Sequence, residues 1–184
     1  MATATSIKSG KGNVDGVVSE LSAAFTVKEG HEEQMREAVA RFGAGMRKAP
    51  PELMQRIGLR NARLVLFEND HRLMWCSSFE SDWDPYVDDG LSLIGISTWA
   101  DWLQHTDAWR SDVGEATHAE VKEFLQSAQV QALAFVDVLR DATVPQIRKG
   151  QRVSQAFQQV LEDPAAEQAL AHPALAPLLD QAAD

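Results

Sequence analysis

The stretch ARLVLFENDHRLMWCSSF, residues 62–79, decides the fold. Two extended runs, Ala62 to Phe67 and Leu73 to Phe79, flank Glu68-Asn69-Asp70-His71, four polar residues of the kind that close a β-hairpin. Strand geometry places Arg63, Val65 and Phe67 on one face and Ala62, Leu64 and Leu66 on the other. In the second run Leu73, Trp75, Ser77 and Phe79 oppose Met74, Cys76 and Ser78. Both faces of the hairpin carry apolar side chains, so both require cover.

Towards the N-terminus, Val18 to Val27 alternates imperfectly and stops at Lys28-Glu29-Gly30, which reads as a first strand. Met35, Ala38, Val39, Phe42 and Met46 then share one side of a helix, and Ala49-Pro50-Pro51 ends it. A loop reaches Gly58. Residues 1–16 hold almost nothing to bury and read as a flexible leader.

Towards the C-terminus, Asp82 to Val113 reads as an aromatic, irregular region with a helix over Thr98 to His105, opened by Thr98 and Asp101. Thr117 and Glu120 form a capping box for a helix ending near Ala128. VQALAFVDVL, residues 130–139, reads as a last strand, and Thr143 with Gln146 opens a long helix through Leu161. An Ala- and Pro-rich tail occupies residues 164–184.

The expected architecture is α+β: a ferredoxin-like βαββαβ antiparallel sheet spanning residues 17–163, with helices on one face and extra C-terminal helices. The bare sheet face is most simply covered by a second copy, so a homodimer is expected.

Seventeen basic against twenty-seven acidic residues leave a net charge of −10, which repels phosphate backbones and anionic lipids and argues against nucleic acid or membrane as partner. No apolar run is long enough to span a bilayer, and Cys76 is the only cysteine, so a reducing, cytoplasmic setting is the natural reading. Asp82, Asp84, Asp88 and Asp89 lack the glycine and closing glutamate of a calcium loop; no metal site is expected there. Phosphate-binding glycine loops, GxSxG elbows and HExxH helices are missing from the sequence.

The segment ARLVLFENDHRLMWCSSFESDWDPYVDD, residues 62–89, resembles the dimeric α+β-barrel superfamily, in particular proteins distantly related to dye-decolourising peroxidases. ATVPQIRKGQRVSQAFQQVLED, residues 142–163, is similar to the helix that follows the last strand in that group. The resemblance implies a dimeric α+β barrel whose cavity works on small aromatic or hydrophobic molecules, with haem as an alternative cofactor.

Within that frame His105 is the candidate acid, base or haem ligand, following the aromatic helix of Trp99 and Trp102; its plainer reading is a helix-end histidine. Arg60 and Arg63 could aim a guanidinium at an acidic or enolate oxygen, or merely pair with nearby acids. Trp75, Trp99, Trp102 and Phe135 could line a cavity between sheet and helices, or simply fill the core. Three functions remain open: a small-molecule enzyme acting by proton transfer or oxidation, a haem protein, and a non-catalytic ligand-binding or assembly module.

Overall fold

The computed structural model describes residues 12–112 and 114–182. They divide into a unit ending at Val144 and a second unit beginning at Pro145. Of residues 1–16, expected as a leader, 1–11 lie outside the described residues and Val14–Asp15 forms strand β1.

The first unit is an α+β domain built on a four-stranded antiparallel sheet, ordered β1-β2-β4-β3. Strand β2 is Val18–Thr26, β3 Leu59–Phe67 and β4 Arg72–Phe79. The hairpin of residues 62–79 forms as expected, and its register sets Arg63 opposite Cys76 and Leu64 opposite Trp75. Its turn runs through three consecutive left-handed residues, Glu68, Asn69 and Asp70 (φ 53°, 55° and 68°). Asn and Asp adopt that conformation more readily than Glu. Arg36 reaches Asp70 from the neighbouring helix and His71 meets Glu32 at 3.1 Å, so the turn is tied down.

Helix α1, Glu32–Lys48, buries Met35, Ala38 and Phe42 against the sheet, with acidic residues in its first turn and basic ones in its last, as the helix dipole favours. Residues expected to be a loop after Pro50 instead form α2, Pro51–Ile57. Pro51 suits the first helical turn, where its missing N–H costs nothing, and Gly58 closes the helix at φ 72°.

The aromatic region is ordered as two helices, α3 at Trp83–Ile94 and α4 at Ile96–Leu103. Helix α4 begins ahead of Thr98, whose hydroxyl donates to the Ile94 carbonyl rather than capping the helix. The Thr117–Glu120 capping box of α5, His118–Ala128, forms as expected.

One side of the sheet carries the core: Leu21, Ala23 and Phe25 of β2 and Leu73, Trp75 and Phe79 of β4, beneath α1, α3, α4 and α5. Trp75 stacks on Trp99 with ring centroids 4.4 Å apart and planes 7° apart, Phe42 stands edge-on to both, and Trp102 packs edge-on to Phe25 at 5.2 Å. Such geometries add about 0.5–1.5 kcal/mol per pair beyond the area they bury.

The expected last strand, Val130 to Leu139, does not form. The edge of β2 that it would need is occupied by β1, paired Val14 to Ser19 and Asp15 to Val18. Only Gln129 bridges to Ala23, and the chain then leaves the edge and crosses the other face of the sheet. Residues 129–142 make a strap, sewn down by Asn13 Nδ2 to the Ala132 carbonyl (2.7 Å), the Asp137 amide to Asp15 (3.0 Å) and the Val17 amide to the Arg140 carbonyl (2.8 Å).

The strap's strongest fastening is Arg60. A register shift between Leu59 and Asn61 makes Arg60 the extra residue of a β-bulge, which re-aims its side chain. Its guanidinium, only 8% exposed, meets Glu80 at 3.2 Å, Asp137 at 3.0 Å and the Ala142 carbonyl at 2.8 Å.

The second unit continues α6, Val144–Leu161, into two short helices, α7 at Glu167–Leu170 and α8 at Ala176–Ala182, punctuated by turns at Pro164–Ala166 and Pro173–Leu175. No residue of these helices is buried. Among the described residues no helix is long and apolar enough to cross a membrane.

Removing Arg60 strands two carboxylates for which it is the sole ion-pair partner among the described residues, so Arg60→Ala is expected to destabilise the domain by about 3–5 kcal/mol. Urea denaturation reads this directly, and a loss under about 1 kcal/mol would mean that the strap is held by its backbone bonds alone.

Candidate functional site

Between the strap and the sheet lies a cleft of about 380 Å³. The strand register builds its floor in rows. Ser22, Cys76 and Arg63 lie side by side across β2, β4 and β3, and Glu20, Ser78 and Asn61 form the next row. Alternation sends these residues to the face opposite the aromatic core. Ala132, Ala134, Phe135 and Val136 of the strap form the roof.

Most polar groups of the floor are engaged. Buried Glu20 accepts from the Asn13 amide at 3.0 Å and from the Ser22 hydroxyl at 2.9 Å, and Asn61 donates to Ser78 at 2.5 Å. Arg63 is the exception: its side chain makes no hydrogen bond or ion pair among the described residues. Cys76 is free, its sulfur 4.0 Å from the Ser22 hydroxyl.

The candidate residues therefore separate into groups. Arg63 and Phe135 meet in the cleft, while adjacent Arg60 is committed to the ion-pair node beside it. Trp75 and Trp99 border a void on the other side of the sheet, with Tyr86, Val87 and Leu125. That void measures about 10 Å³, the room of roughly one water. Trp102 is fully buried within the core. Tryptophans expected to line a ligand cavity thus close one up.

Burial pushes the hydroxyl of Tyr86, stacked on Phe79, up to about 12.

His105 stands elsewhere, between the end of α4 and the bridge of Val27 to Thr106. Its partner is His31, the residue preceding α1, with the two Nδ1 atoms 3.0 Å apart. Burial, then the neighbouring His31 charge, holds the His105 imidazole below its ordinary pKa, with Lys28 and Arg41 adding to the effect and Asp101 opposing it. Neither the cleft nor the void is lined by a histidine, so a haem held by His105 has no seat in either.

Glu20 and His31 escape sequence reading. Glu20 reads as the solvent face of a strand, and His31 lies 74 residues from the histidine that it meets. No protein-family model, no curated protein and no solved structure matches the chain.

Tyr86 is the only tyrosine, so its ionisation can be followed alone by ultraviolet absorbance. The native protein is expected to titrate near pH 12, and the urea-unfolded chain near about 10. A raised folded pKa means that the stability from burying the neutral phenol is complete below pH 10 and is lost as pH climbs through 12. Native titration at about 10 would mean that the Phe79–Tyr86 stack is open to solvent.

Proposed function

We propose that the cleft binds a small molecule with an apolar, ring-bearing body and a carboxylate or enolate oxygen. The observation that carries this reading is Arg63, an unpaired guanidinium on the floor of a cleft roofed by Phe135. A planar fork of donors suits paired oxygens, and the apolar roof suits a ring.

The same floor supports an enzymatic reading by proton transfer. Glu20 offers a carboxylate to accept a proton from carbon, while Arg63 holds the oxygen that takes up the electron pair. The strand order β2-β4-β3, with helices on one face, supports placing the domain as a variant of the ferredoxin-like plan in which a strap replaces the last strand.

The test is titration with phenylpyruvate and benzoate, followed by amide chemical shifts. Shifts are expected at residues 20–22, 61–63, 76–78 and 132–136, with Arg63→Gln weakening binding about tenfold or more, the worth of a charge-assisted hydrogen bond. Shifts confined to other regions, or affinity indifferent to Arg63→Gln, would overturn the reading.

A second copy of the chain is the macromolecular partner this face favours. Leu133, Val136 and Val138 of the strap are 105%, 79% and 91% exposed, and Val65 lies exposed on the unpaired edge strand. Exposed apolar side chains of this kind suit an interface. Light scattering is expected to give a dimer that Leu133→Asp with Val136→Asp converts to monomer. A wild-type monomer at about 100 µM, far above the range in which specific dimers part, would sink the idea.

A further inference from the structure

We propose that His31 and His105 form a two-nitrogen site for a divalent transition metal, with copper(II) or nickel(II) as the best-fitting ions. The proposal is independent of the cleft.

The rings come from separate elements but are held by one backbone bracket. The Lys28 amide donates to the His105 carbonyl at 2.9 Å, the His31 amide to the Lys28 carbonyl at 2.9 Å, and the Asp107 amide to the Thr26 carbonyl at 2.9 Å. His31 is further fixed by accepting from the Met35 amide at 2.8 Å as α1 begins, and His105 by donating to the Trp102 carbonyl at 3.1 Å. Both rings are partly buried, their planes tilted by 54° and their centroids 5.3 Å apart.

The Nδ1 separation is 3.0 Å. Two metal–nitrogen bonds of about 2.0–2.1 Å span roughly 2.9 Å at a right angle and roughly 3.3 Å at the tetrahedral angle. The pair therefore matches the right-angled bite of tetragonal copper or nickel better than that of tetrahedral zinc.

Without metal, one Nδ1–H donates to the other Nδ1. Binding requires the donor ring to move that proton to its own Nε2 and both rings to turn slightly, a change that leaves both rings neutral and frees both Nδ1 lone pairs for the ion.

The neighbouring charged side chains each hold a partner of their own, with Lys28 remaining a cation near the site. Lys28 Nζ donates to the Gln104 carbonyl at 2.7 Å, and Asp101 is clamped by Arg41 through two bonds of 3.0 Å. No group of three or more metal-binding side chains occurs among the described residues, so the ion would keep open positions for water or another ligand.

The experiment is titration of the full chain with copper(II), read by calorimetry and by electron paramagnetic resonance. One ion bound through two imidazole nitrogens is expected, with zinc(II) at least tenfold weaker and His31→Asn or His105→Asn each weakening copper at least tenfold. Binding unchanged in both variants, or coupling to a single imidazole, overturns the proposal. Should either variant misfold, amide spectra of the wild-type protein decide. Copper is expected to broaden residues 28–35 and 101–108 first, and first broadening around His71, His118 or His172 instead would count against the site.

Discussion

A single buried cation organises the face of the sheet on which ligand binding is proposed. Arg60 sits between Glu80 and Asp137 and also donates to the Ala142 carbonyl. The carboxylates spend their remaining capacity on backbone amides: Glu80 accepts from Val144 at 2.6 Å and Asp137 from Leu139 at 2.9 Å. With every partner satisfied the node can persist away from water; with one missing, the others are left as uncompensated buried charge. The strap has no strand pairing beyond its first residue, so this node and the contacts of Asn13, Asp15 and Val17 determine whether a roof exists over the floor.

The division of labour between the two sheet faces follows from residue size along alternating strands. Leu21, Phe25, Leu73, Trp75 and Phe79 project to one side, where the helices close over them. Glu20, Ser22, Cys76, Ser78, Asn61 and Arg63 project to the other, where small and polar side chains leave space. Around Trp75 and Trp99 the large aromatics leave a void of only about 10 Å³, and the cleft proposed to bind a small molecule lies on the side with fewer of them.

Much of this was legible in the sequence where the signal is local. The hairpin, the buried face of α1 and the capping box of α5 depend on residues a few positions apart, and they stand as read. The strap was not legible, because VQALAFVDVL has the β-propensity of a strand and only the prior occupation of the β2 edge by Val14–Asp15 denies it a partner. Those two residues belong to a stretch too polar to suggest structure. Arg60 and Arg63 looked equivalent until the bulge at residue 60 sent one into an ion-pair node and left the other free. Helix α3 was hidden for a different reason: Pro85, Gly90 and a run of aspartates depress helix propensity locally, while burial of Trp83, Tyr86, Val87 and Leu91 outweighs it.

The position of the lone thiol has a practical consequence. Cys76 is the only cysteine of the chain, half-buried on the cleft floor between Ser22 and Arg63. A sulfhydryl reagent therefore attaches at one known point, and its rate of attachment is governed by what already fills the space around Cys76. The protein thus carries a built-in gauge of cleft accessibility that needs no engineered label.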